Sequence, residues 1–289
     1  MRRLFDADDR ASYLHGVTTQ TPTVLVACLV ATVVVGIAAA DPTREQFARG
    51  ATALSTSCGK GDALACEALA ALYRLGLTVA KDEGKAIVLY DRACKANLAS
   101  ACREQALLIS IGAGTPKDPA KAAPILDKAC TARDAQACDM LAALYRNGHG
   151  VPLDLGKAVA LYTKSCAGGF ADGCAALGSH HMTGEGVAKD VAKGAGFVDQ
   201  ACTGGHKIAC GILGVAYLLG KELPRDRARS LAYFQRGCTL DDGFACHALA
   251  REYQHGAGSA SDASQVDALE AKACSLGYAK ACGSASSAP

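Results

Sequence analysis

The chain contains no tryptophan, and only 5% of its 289 residues are aromatic. A large β-sandwich fills its core with Val, Ile, Tyr and Phe, so that architecture is disfavoured. Neither acidic nor basic residues dominate: the net charge is +2. No strongly basic surface is implied, and nucleic acid is not expected as a partner. Apolar residues nevertheless make up 50% of the chain, enough to bury a sizeable core and to exclude wholesale disorder. Much of that share is alanine, which suits helices that approach one another closely.

The one residue present in excess is cysteine, with 15 copies. They fall at 28, 58, 66, 94, 102, 130, 138, 166, 174, 202, 210, 238, 246, 274 and 282. After Cys28 the spacings alternate 8 and 28 without exception. Common zinc frameworks place two to four residues between paired ligands, so this spacing is not theirs. A reducing cytosol rarely keeps so many thiols without metal, and an oxidising compartment is expected.

An export segment fits that compartment. Val24 to Ala40 is an uncharged apolar run preceded by Arg2 and Arg3, and Ala38-Ala39-Ala40 resembles a small-residue cleavage site. Residues 1–40 are therefore expected to be a signal peptide or a membrane anchor, and membrane contact is expected only through residues 24–40 if the segment stays uncleaved. Cys28 follows a loose lipobox, but most of the apolar run lies after it, which argues against lipidation. Periplasmic or secreted localisation follows, with an anchor facing the periplasm as the alternative.

The cysteine period is also the period of the chain. Gly recurs every 36 residues at 76, 112, 148, 184, 220 and 256, and Asp at 82, 118, 154, 190, 226 and 262. Within one unit, Leu69, Leu72 and Tyr73 mark the apolar face of a helix A over about 63–75. Gly76 suits the position just beyond its C-terminus. Asp82 suits the N-cap of a helix B, which carries Ala86, Leu89, Tyr90 and Ala93 on one stripe and ends near Cys94. The spacing predicts a lone B-type helix at about 43–58, six AB pairs and the stub of a seventh helix A. One such pair cannot bury its own apolar face, so the pairs must stack. The expected fold is an all-α, α/α solenoid over 41–283, following a right-handed superhelix with a concave face, with a small, polar tail at 284–289.

Partners 8 or 28 apart would both keep the period. Pairing at 28 strands Cys58 and Cys282, whereas pairing at 8 uses every cysteine of the array. The expected bridges are Cys58–Cys66, Cys94–Cys102, Cys130–Cys138, Cys166–Cys174, Cys202–Cys210, Cys238–Cys246 and Cys274–Cys282. Each joins the end of one helix B to the start of the next helix A. Seven equivalent bridges point to construction rather than to a redox sensor.

The pattern from Cys138 to Gly169 closely resembles the Sel1-like repeat, a TPR-like helical pair, and the added cysteine pairs resemble the cysteine-rich Sel1 proteins of Helicobacter. The resemblance covers about 42–283. Gln105 departs from a Leu column, Ile109 and His181 from a Tyr column, and Gln265 from a Lys column. It implies an exported solenoid that binds other molecules. Some relatives are named as penicillin-binding proteins or β-lactam hydrolases, so a β-lactam or another cell-wall-derived small molecule is the alternative ligand to a protein or peptide.

The chemistry of a serine hydrolase is weakly represented. Ser57-Cys58-Gly59-Lys60 has the S-x-x-K spacing, but no S-D-N or K-T-G accompanies it, and Gly59 is expected to end the helix before Lys60. His180 and His181 are adjacent, so they point about 100° apart on a helix and do not converge on one metal. No H-E-x-x-H occurs. No catalytic residue, metal or cofactor is assigned on these grounds. A binding stripe is the stronger lead: positions one, five and eight after each second cysteine lie on one helix face and vary between repeats. They include Arg74, Arg103 and Arg146 in the first three repeats, Met182, Val215 and Leu218 in the next two, and Arg251 in the sixth. The expected role is a partner-binding groove on the concave face, apolar in the middle and flanked by charge. The chain is thus expected to be an interaction scaffold of the cell envelope, with β-lactam hydrolysis or assembly of another exported protein as alternatives.

Overall fold

The computed structural model describes residues 44–258, 262 and 264–283. The expected export segment and the tail at 284–289 lie outside the described residues. Among the described residues the chain forms fourteen helices and no strand. None of these helices is long and apolar enough to cross a membrane.

The helices fall into two compact units, one up to Lys117 and one from Asp118. The first holds α1 (Arg44–Gly59), α2 (Ala63–Leu75), α3 (Glu83–Lys95) and α4 (Ala99–Ile111). The second holds α5 (Pro119–Thr131), α6 (Ala135–Asn147), α7 (Leu155–Ala167), α8 (Ala171–Thr183) and α9 (Val191–Thr203). It continues with α10 (Lys207–Leu219), α11 (Arg227–Thr239), α12 (Gly243–Gln254), α13 (Val266–Ser275) and α14 (Ala279–Cys282). Even-numbered helices are of type A and odd-numbered ones of type B.

The repeated columns set the boundaries. Each of α2, α4, α6, α8 and α10 ends on a glycine in the left-handed conformation, Gly76 at φ 68° for instance. Asp82, Asp118, Asp154, Asp190 and Asp226 cap the five B helices that follow, each carboxylate accepting the N–H three residues on at 2.9–3.0 Å. The N–H groups of Asp82, Asp154, Asp190 and Asp226 tie the loop back to helix A: Asp154 N donates to the Tyr145 carbonyl at 2.9 Å. The second glycine of the loop permits a close approach. A Cβ at Gly150 would lie 2.4 Å from the Ala120 nitrogen, so the loop rests directly on the start of α5.

The sixth repeat departs from the pattern. Asp262 was expected to cap helix B, but α13 starts at Val266 with Gln265 at its cap position and no side-chain cap bond.

Small residues set the distance between helices A and B. Ala70, Ala86, Ala142 and Ala158 are fully buried at the crossings. Glycine brings α8 and α9 closer still, since a Cβ at Gly178 would lie 2.8 Å from the Gly194 carbonyl. Between α10 and α11, Ser230 Oγ donates to the Gly214 carbonyl at 2.7 Å. The larger apolar residues Tyr90, Leu126, Tyr162 and Phe234 fill one buried column of the B helices.

All seven cysteine pairs eight residues apart stand at disulfide distance, with S–S between 1.96 and 2.07 Å. Each links a helix B to the next helix A. Closing so short a loop restricts the unfolded chain by about 2–3 kcal/mol per bridge in the chain-entropy account. Bridges in this number belong to an oxidising compartment, outside the reducing cytosol.

Candidate functional site

In the first unit the stripe is charged but internally neutralised. Glu104 of α4 is buried, and two arginines hold it. Arg74 Nη1 lies 3.2 Å from Glu104 Oε2, and Arg103 Nη1 lies 2.6 Å from Oε1. The structure thus brings Arg74 and Arg103 together on one carboxylate, and neither presents a guanidinium reserved for a ligand. The phenol of Tyr90, buried beside them, is pushed well above its ordinary range, chiefly by burial and then by the Glu104 charge. Gln105, the departure from the Leu column, is satisfied in the core by donating to Asp91 Oδ1 at 3.1 Å.

In the second unit the stripe is partly covered. Met182 is 9% exposed and does not form an open apolar patch. The reason is the glycine crossing: a Cβ on Gly194 would meet Met182 Cγ at 2.5 Å, so the methionine lies on the backbone of α9. Val215 and Leu218 are half-buried and pack against the cluster of Phe234, Ala245 and Leu249. Arg146 is half-buried and Arg251 is exposed. Of the apolar part of the stripe, only the outer faces of Val215 and Leu218 reach solvent, and Arg251 is exposed on α12.

Asp139 shares the stripe with Arg146. Burial, and then the charge of Asp172, push its carboxyl up to about 7, against the pull of Arg146. Asp172 also approaches His206 Nε2 at 3.8 Å, and His206 Nδ1 accepts the Ala209 N–H at 3.1 Å as the cap of α10.

His180 and His181 are packing residues. His180 Nδ1 donates to the Glu185 carbonyl at 2.7 Å, and its ring lies 5.5 Å from that of Tyr162. His181 stacks on Phe197 at 5.4 Å. Burial holds both imidazoles below their ordinary range. At the amino end α1 stops at Gly59, as expected, and Lys60 stands in the turn beyond it. Lys60 N donates to the Thr56 carbonyl at 3.2 Å and to that of Ser57 at 3.0 Å, so the turn continues to Lys60. Lys60 nevertheless stands exposed, and no hydrogen bond joins the two side chains.

Two acidic residues escaped the sequence reading. Glu104 follows Arg103, outside the three positions compared. Glu270 of α13 sits in the column of Tyr90, Leu126, Tyr162, Val198 and Phe234 and is 3% exposed. Its Oε2 lies 2.7 Å from His247 Nδ1, and its Oε1 has no hydrogen-bond partner. The same column comparison, applied to the B helices, would have found it.

Residues 63–98, 99–134, 135–170, 171–206, 208–242 and 243–270 each match the model of the Sel1 repeat. The chain belongs to the Sel1 repeat family. A Sel1 repeat protein from Oxalobacter formigenes is similar in structure, with a TM-score of 0.67 and 25% identity, over 74% of this chain and 88% of that one. A protective antigen present in uropathogenic Escherichia coli strains, displaying the same repeat fold, matches with a TM-score of 0.74 and 26% identity over 80% of this chain. This chain spans 50% of the length of that antigen. Cysteine-rich protein B of Helicobacter pylori is 35% identical over 47% of this chain and 98% of its own, with a TM-score of 0.39. Among curated proteins none matches this Sel1 repeat chain significantly.

Proposed function

We propose that this Sel1 repeat protein is an exported interaction scaffold that holds an extended peptide, or a helix of a partner protein, along its A helices. The supporting observation is the contrast between columns. Residues that build the repeat are buried and nearly constant, whereas Val215, Leu218 and Arg251 vary from repeat to repeat and keep part of their surface in solvent. A half-exposed aliphatic pair beside an exposed guanidinium fits an apolar side chain followed by an acidic one. Arg74 and Arg103 are engaged with Glu104, and Arg146 is half-buried, so the contact centres on α10 and α12. The cell envelope is the proposed place of action.

The test is selection of peptides from a random displayed library on the oxidised protein, followed by titration against variants. The inner face of Leu218 packs against the core cluster, so Arg251→Glu is the cleaner probe. It should weaken selected peptides by about tenfold, the order of one charge-assisted contact. Undiminished binding would place the contact elsewhere. A parallel assay with a chromogenic cephalosporin addresses hydrolysis: turnover lost in Ser57→Ala would replace the scaffold reading with an enzyme.

A further inference from the structure

The seven bridges are identical in sequence spacing and unequal in access. In the first six, all twelve cysteines are buried, the most open being Cys166 at 8%. Each of those bridges lies under an A helix of 12 or 13 residues and the B helix that follows it. Among the described residues the seventh has no such cover. Its helix A, α14, is 4 residues long and ends at Cys282 itself. Cys282 is exposed and Cys274 half-buried. Exchange requires a thiolate to reach a sulfur along the S–S axis, so access separates this bridge from the rest.

We propose that Cys274–Cys282 is a thiol–disulfide exchange site for low-molecular-weight thiols, and that exchange there releases α14 while the six buried bridges stay closed. The incoming thiolate attacks the exposed Cys282 Sγ. A mixed disulfide forms on Cys282, the Cys274–Cys282 bond breaks, and its electron pair leaves with Cys274 Sγ, which takes a proton from water. A second equivalent of thiol attacks the mixed disulfide, giving the free Cys282 thiol and the oxidised small-molecule disulfide.

The released segment is small and carries a defined cover. Tyr278, at the cap of α14, lies 5.9 Å ring to ring from Phe244 and 5.1 Å from His247. Ala281 is fully buried against the group of Cys238, Cys246 and Ala273. Opening the bridge removes the covalent hold on these contacts, which are made with α11, α12 and α13. The expected product is an intact array with the edge of its sixth repeat uncovered.

The experiment uses the full oxidised chain in native buffer with reduced glutathione. Samples are quenched with iodoacetamide at intervals and read by intact mass and peptide mapping. Alkylation and glutathione addition should appear first on peptides carrying Cys274 and Cys282, about a hundredfold faster than elsewhere, because buried bridges wait for local opening. Helicity should stay unchanged, and amide exchange should rise at 279–282. The double variant Cys274→Ser with Cys282→Ser should fold and lose the fast reaction. Simultaneous opening of all seven bridges, earlier reaction at any other bridge, or a fast reaction surviving in the double variant would each overturn the proposal.

Discussion

Glu270 shows how one repeat position can carry two kinds of chemistry. Five repeats place an apolar side chain there; the sixth places a carboxylate and covers it with His247 at 2.7 Å. Removing only the imidazole leaves a charge buried without a partner, so His247→Ala should lower stability by about 3–5 kcal/mol in urea titrations. Glu270→Leu restores the apolar column and should be neutral or stabilising; a loss comparable to that of His247→Ala would show that the pair itself holds the repeat together. Asp139 supplies a pH dependence of definite sign. Its carboxyl is held at about 7 in the fold, above its value in an unfolded chain. Between about pH 4 and 7 the folded state therefore keeps a proton that the unfolded state has released, and stability falls as pH rises through that window. Asp139→Asn should raise the Tm at pH 8 and leave it unchanged near pH 4. His180 acts in the opposite direction: its imidazole is kept neutral by burial, and stability is lost as pH falls below about 6.5.

At the scale of the helix, the period made nearly every element legible. Helix A of the first repeat was expected over 63–75 and is observed as Ala63–Leu75, because a buried leucine face, a capping aspartate and a terminal glycine all agree. Agreement failed where two signals parted. At Asp262 the capping residue is present, but the helix starts four residues later. The binding stripe was legible as a set of columns and not as a surface, since exposure depends on neighbours that the stripe does not contain. Gly194 decides that Met182 is covered, and Glu104 decides where Arg74 and Arg103 point. Pro124 is the one proline beyond the first turn of a described helix, on an exposed position of α5. It removes one N–H from the helical ladder, so Pro124→Ala should stabilise the chain by about 1–3 kcal/mol in thermal or urea unfolding. No change would mean that the helix has already adapted to the ring.

On the scale of the whole molecule, the bridges cross the boundaries between repeats, and this makes the length of the array editable. Excising 207–242 removes Cys210 and Cys238 together and leaves Cys202 and Cys246 eight positions apart. Ala201 then takes the place of Gly237 opposite Ala245, where an added Cβ would lie 2.6 Å from Ala245 Cβ. Excising 171–206 also keeps the spacing, but it sets Ser165 against Ala209 in place of Gly173. A Cβ at Gly173 would lie 2.6 Å from Ser165 Cβ and 2.2 Å from Ser165 Oγ, so that splice meets the same kind of clash with a hydroxyl added to it. Both shortened chains should melt below the parent, the one lacking 171–206 lower than the one lacking 207–242, because Ser165 adds a hydroxyl to the crowding. Gain and loss of units is then governed by the pair of small residues beside each bridge: the cysteines admit any splice, and their neighbours select which copies can stand next to one another.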